Sequence, residues 1–260
     1  MGSQILQAQD RLFTEAETKD PSIVTRATSY GIGLANVFDN YLSPQSYHGW
    51  EVRLSRESVH ATKWNPEKWS IQSYFQGYFD YTENRAENNN TMAGMANWNY
   101  GYYYKCWQQG GLQLYAGGVA DLNGGFIYNL RNGNNPANMR VYVNMDASVR
   151  LLWKTHVKRF PLLVRYQVNV PLAGVMFAPH YGQSYFEIFT LGDSKGVVCM
   201  TTPFSQPSLR QMLSVDFNVK KTTLRLSYVC DLQQATANKV KSHLYSHVLM
   251  VGFVKHLKKL

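Results

Sequence analysis

Apolar and polar residues alternate with period two along most of this chain, the pattern of strands that present one face to an apolar medium. Met139–Trp153 is the clearest stretch. Met139, Val141, Val143, Met145, Ala147, Val149, Leu151 and Trp153 share one parity, while Arg140, Tyr142, Asn144, Asp146, Ser148 and Arg150 share the other. Strands of soluble proteins usually run about 5–6 residues. A tilted strand needs about 9–11 to cross a bilayer, and this run exceeds that. Phe160–Val170 repeats the pattern with opposite parity, and Trp69–Tyr81, Leu112–Tyr128, Leu213–Val219 and Leu224–Leu232 follow it.

Twelve segments of this kind are predicted, at 27–41, 47–60, 68–83, 91–107, 111–130, 138–154, 157–171, 184–191, 196–202, 209–220, 221–233 and 240–257. Turn chemistry separates them, as at Asn65-Pro66, Asn88-Asn89-Asn90, Gly110-Gly111 and Asn132–Pro136. The predicted fold is all-β: an up-and-down antiparallel transmembrane β-barrel of about 12 strands over 26–260, preceded by a polar, weakly helical arm over 1–25. Gly31, Gly33 and Ala35 read as a small inward face on the first strand, with room for that arm to pass. One hairpin can be set by arithmetic. A two-residue turn at Lys220-Lys221 puts Asp216 opposite Arg225, Arg210 opposite Asp231 and Ser214 opposite Ser227 on one face. Phe217, Val215 and Leu213 then face Leu224, Leu226 and Tyr228 on the other, so charge and apolarity select the same register.

Composition narrows the setting. Charged residues are 17% of the chain, against about 25% in average globular proteins, and aromatic residues are 14%. A disordered chain would show the reverse balance. Apolar runs such as Val248–Val254 fall far short of the roughly 20 residues a spanning helix needs. Aromatic clusters near predicted strand ends, including Trp50, Trp69, Tyr81, Trp98–Tyr104, Trp107, Tyr128 and Trp153, fit the girdles of a membrane barrel. Cys106, Cys199 and Cys230 have neither disulfide-framework nor metal spacing and read as packing residues. Met1-Gly2-Ser3 looks like a start joined to a mature chain, so an export signal is expected to have been removed.

The net charge of +9 is placed unevenly. With both termini periplasmic, Lys154, Lys158, Arg159, Lys220, Lys221, Lys255, Lys258 and Lys259 gather on the periplasmic rim, where they would meet lipid headgroups or an acidic envelope protein. Nucleic acid is not expected as a partner, because the aromatics sit on the apolar parity rather than among the basic residues.

The inward parity mixes charges of both signs: Arg140, Asp146, Arg150, Arg165, Glu187, Arg210, Asp216, Arg225 and Asp231 are the expected lumen network, with Arg165 and Asp146 close enough to pair. Mixed charge suits a paired, filled interior. A narrow polar channel and a small-ligand site stay open beside it. Residues 171–184 break the alternation and are read as a mouth loop, with His180, Tyr181 and Gln183 as a constriction. The segment from Asn169 through Phe177-Ala-Pro-His-Tyr-Gly-Gln-Ser-Tyr-Phe-Glu187 resembles a signature of an uncharacterised family of Gram-negative outer-membrane barrel proteins. That resemblance, over the C-terminal half, implies an outer-membrane location and no particular activity.

Enzyme signals are weak. The His-x-Ser signature of outer-membrane phospholipases does not occur, and in Ser242–His247 the serines and histidines have opposite parities, against a Ser–His dyad. No cofactor or metal motif is present. Two functions remain: a narrow channel or uptake barrel for a small polar solute, and a non-conducting scaffold for an envelope complex. A lipid hydrolase is a distant third.

Overall fold

The computed structural model describes residues 20–158, 160–220 and 222–258. Among them are eleven strands: β1 (Ile23–Asp39), β2 (Ser43–Ala61), β3 (Trp69–Asn84), β4 (Asn90–Gln109), β5 (Leu112–Asn129), β6 (Ala137–Val157), β7 (Phe160–Phe177), β8 (Val198–Thr201), β9 (Leu209–Val219), β10 (Thr222–Ala237) and β11 (Val240–Lys258). A single-turn helix, α1 (Tyr185–Phe189), precedes β8. Every pairing is antiparallel. β1 pairs with β11 and β6 with β7, which closes β1–β7 and β9–β11 into a barrel of ten strands. Closure leaves no edge strand in the ring, the condition for a sheet in hydrocarbon.

The expected count of 12 is therefore corrected. Residues 184–191 contain α1 rather than a strand, because Ser184 and Glu187 form a reciprocal capping box. Residues 196–202 hold β8, which pairs only with the far end of β7 and adds a strand outside the ring. Both β8 and β9 lie along the same side of β7, β8 against Gly174–Phe177 and β9 against Leu162–Asn169. Pro171 falls in the gap between them, where its missing N–H costs no ladder bond on that side. The barrel also begins earlier than residue 26, since Ile23–Thr25 belong to β1. The expected arm over 1–19 lies outside the described residues.

An even number of wall strands puts both ends of the chain on one rim, with Ile23 opposite Lys258. This terminal rim has the β4–β5, β6–β7 and β9–β10 turns. The opposite rim carries the long connection from Ala178 to Ser208. The β9–β10 register is the one the sequence arithmetic gives: Asp216 faces Arg225, Arg210 faces Asp231 and Phe217 faces Leu224. Lys220 reaches this turn with φ 56°, the left-handed conformation that tight hairpins require.

The two parities separate cleanly. Tyr30, Ile32 and Leu34 on β1, Val141, Val143, Met145, Val149 and Trp153 on β6, and Leu249, Val251 and Phe253 on β11 are exposed on the outside. Their alternates point inward and are buried, including Ser29, Arg140, Asn144, Ser148, Arg150 and Ser246. Outside rings meet near both rims, Trp50 against Tyr81 at 5.9 Å toward the long-loop end and Trp69 against Tyr104 at 5.2 Å toward the terminal end. An apolar band with aromatic residues at both edges is the surface a bilayer demands.

Candidate functional site

The lumen is filled by side chains in successive layers. Nearest the terminal rim, Glu57 accepts from Arg165 and from Arg225, each at 2.5 Å, and from Gln72. Arg225 also grips Asp216 through two bonds of 2.6 and 2.7 Å. In the next layer Arg53 donates to Glu51 at 2.5 Å and lies 3.3 Å from Asp231, which Arg210 approaches at 3.2 Å. Arg210 also donates to Asn97 and Asn99, and both asparagines donate to Asp121. Above these, Gln233 donates to Tyr78 and accepts from Tyr142, and the Arg53 guanidinium covers the Tyr78 ring at 4.4 Å. Bonds to charged groups are each about twice as strong as neutral ones, and here they interlock across strands far apart in sequence.

Toward the long-loop rim an apolar cluster joins the buried polar side chains. Val37, Leu42, Tyr47, Ala93, Ile127 and Leu244 form a buried cluster on the side of β11, β1, β2, β4 and β5. Beside it Asn138 donates to Asp39 at 2.7 Å and Arg140 donates to Ser242 at 2.5 Å. Cavities in this upper interior are about 20 Å³ each, room for a single water.

At the terminal rim the lumen instead opens into a vestibule of about 600 Å³. Ile23, Thr25, Val59, Ala61 and Val254 form part of its wall, Lys68 and Lys105 its mouth, and Arg150, Arg165, Asp216, Leu152 and Gln113 its deeper lining. Arg150 lies over the rings of Tyr103 at 4.3 Å and Tyr115 at 4.8 Å.

The expected lumen network is largely brought together here, with three differences. Glu187 is not in the lumen: it caps α1 in the long loop, where bonds from the Ser184 backbone and hydroxyl hold its carboxyl below the usual range. Asp146 and Arg165 do not pair, because Arg165 faces Leu152 across the hairpin while Asp146 faces Pro171. Arg150 finds tyrosines rather than a carboxylate. The mouth loop begins later than residue 171, since β7 continues to Phe177, and it runs beyond 184 through α1 and β8 to Ser208. His180 and Tyr181 are exposed on it, and Gln183 binds Asp193 and His180 within the same loop. The Tyr41 hydroxyl donates to the Gln183 carbonyl at 2.6 Å, and burial with nearby Asp39 and Glu187 pushes its pKa up to about 12.

Lys154, Lys158, Lys220, Lys255 and Lys258 all lie at the terminal rim, joined by Lys63, Lys68 and Lys105. Arg159, Lys221 and Lys259 lie outside the described residues. Ser242 and Ser246 point into the lumen while His243 and His247 face outward, so this strand forms no Ser–His dyad. The apolar cluster at the long-loop end was missed by sequence reading. Its signal was available in the inward parity of Val37, Ala93, Ile127 and Leu244.

The transport unit of the autotransporter AIDA-I from Escherichia coli is similar in fold, with TM-score 0.46 and 10% identity over 99% of this chain and 96% of that one. The outer membrane protease OmpT from Escherichia coli gives TM-score 0.48 and 8% identity over 91% and 97%. An outer membrane channel from Pseudomonas putida F1 gives 0.38 and 10% over 92% and 97%. No curated protein matches the chain. The chain belongs to the family described as Protein of unknown function (DUF3316), which matches residues 3–260.

Proposed function

We propose that this DUF3316 barrel is a non-conducting bacterial outer-membrane protein that presents a basic, blind vestibule to the periplasm, as a scaffold for another envelope component. The observation that carries this reading is the close packing of the lumen. At the long-loop end Val37, Leu42, Tyr47, Ala93, Ile127 and Leu244 pack together on the side of β11, β1, β2, β4 and β5, and the cavity toward β6, β7 and β10 holds about 20 Å³. An ion passing there would have to shed its water against apolar side chains, and beneath them it would meet a network whose charges already hold one another. A periplasmic vestibule follows from the side of the termini, and the surplus of lysines there suits an acidic partner or anionic headgroups. The uptake-barrel alternative needs a continuous polar path, and the close packing of the lumen speaks against one. The reading assigns no catalysis.

The test is single-channel recording of the refolded full chain in a planar bilayer, with folding verified by heat-modifiable gel migration. Silence is expected. Reproducible conductance steps that change size in Arg210→Gln would overturn the proposal, since Arg210 lies in the path an ion would have to take.

A further inference from the structure

The vestibule's lining is electrically unbalanced. Lys68, Lys105, Arg150 and Arg165 in the lining outnumber the carboxylates Glu67 and Asp216, and of the deeper groups Arg165 and Arg225 are matched by Glu57 and Asp216 in direct ion pairs. Arg150 is a further cation in the same region, only 2% exposed, with no carboxylate among the described residues in ion-pair contact with it. Its Nη2 donates to Ser70 at 3.0 Å, and its Nε has no hydrogen-bond partner. Stacking on Tyr103 and Tyr115 fixes the plane of the guanidinium without neutralising it. A buried, uncompensated charge is costly, and here it lines a cavity of about 600 Å³ that is open to solution. Ligand sites of small molecules span about 300–1,000 Å³.

We infer that the vestibule is a binding site for a small amphipathic anion, whose carboxylate or phosphate sits on Arg150 and whose apolar body packs against Leu152, Leu163 and Val254. A guanidinium held in a fixed plane suits an oxyanion geometrically. The lysines of the rim raise the local concentration of anions at the mouth. The apolar wall rewards a ligand that carries more than its charge. This site stands independently of conduction, so its failure would leave the sealed-lumen reading intact, and the reverse.

The experiment is calorimetric titration of the full-length barrel in lipid nanodiscs with benzoate, phenyl phosphate and the neutral analogue benzyl alcohol. Saturable binding of at least one anion is expected, with benzyl alcohol not bound. Preference for benzoate or for phenyl phosphate identifies the oxyanion's source. Arg150→Gln should weaken binding at least 10-fold, about 1.4 kcal/mol, with Arg150→Lys intermediate and heat-modifiability preserved. Should Arg150→Gln fail to fold, Ala61→Trp, which fills the vestibule from the opposite wall, should abolish binding on its own. Absence of saturable binding by either anion, equal binding of benzyl alcohol, or unchanged affinity in a folded Arg150→Gln or Ala61→Trp barrel would overturn the inference.

Discussion

Neutralising the Asp216–Arg225 pair tests the lumen architecture most directly. Arg225 donates to both oxygens of Asp216 at 2.6 and 2.7 Å and to Glu57 at 2.5 Å, and all three side chains are buried. Asp216→Asn weakens two charge-assisted bonds and leaves Arg225 held by Glu57 alone. Arg225→Gln leaves Asp216 without its ion partner, while Glu57 keeps Arg165. Removing one partner of a buried pair costs about 3–5 kcal/mol, so each single change should lose that amount. In the double variant neither charge remains, and the interaction energy from the cycle should be about 2 kcal/mol, within the 0.5–3 kcal/mol seen for contacting residues. Full reversal, Asp216→Arg with Arg225→Asp, should fare worse than double neutralisation. It would set a new carboxylate against Glu57, so the pair is not an isolated unit that can simply be turned round. The assay is urea unfolding in phospholipid vesicles, followed by tryptophan fluorescence. Losses that add to within about 0.5 kcal/mol, the additivity of independent sites, would refute the shared network.

Two further outcomes are expected. A Cβ at Gly33 would stand 2.2 Å from the His247 carbonyl oxygen at the β1–β11 seam, whereas one at Gly118 would meet nothing within 4 Å. Gly33→Ala should therefore cost about 1–3 kcal/mol in the same unfolding assay, and Gly118→Ala should stay close to wild type. In the long loop, Ser184→Ala removes the cap of α1, worth about 1 kcal/mol locally, and should speed protease cleavage within 184–191 without altering barrel unfolding. Because bonds from Ser184 lower the Glu187 pKa, its contribution to loop order is present at neutral pH and fades as pH drops below the ordinary carboxylate range. Cleavage should then accelerate in wild type at acid pH, and Ser184→Ala should keep much of that dependence, because the backbone N–H of residue 184 still donates to Glu187.

The wall of the barrel was legible because alternation reports which side chains face lipid, and a strand slipped by one residue would invert that face. Asp216 opposite Arg225 could be read for the same reason. What alternation does not encode is which strand lies beside which. The 196–202 segment has genuine strand character, yet β8 adds to β7 outside the ring, a fact fixed by the step of the chain down to β9. Tyr185–Phe189 mimics a short strand in composition. The better clue was Ser184 followed three positions later by Glu187, a helix-start signature. The Arg165–Asp146 expectation failed on distance. The turn register sets Arg165 beside Leu152, six residues from Asp146, about 20 Å at the strand rise of 3.3 Å. Gly174 in the family-like segment looks like a loop glycine in sequence. In the fold it is a strand residue whose Cβ would be 2.3 Å from the Val143 carbonyl oxygen.

The lumen bonds tie the earliest strands to the latest. Glu57 and Arg225 are 168 positions apart, and Arg53 and Asp231 are 178 apart. A partly assembled sheet would therefore hold Glu57 and Arg53 of β2 while their partners Arg225 and Asp231 belong to a strand not yet in place, and each lone charge facing hydrocarbon would cost several kcal/mol. Strands cannot enter the bilayer singly under those terms. Insertion has to coincide with curling and closure, so that the same charges that block the finished lumen also make its assembly a single concerted event.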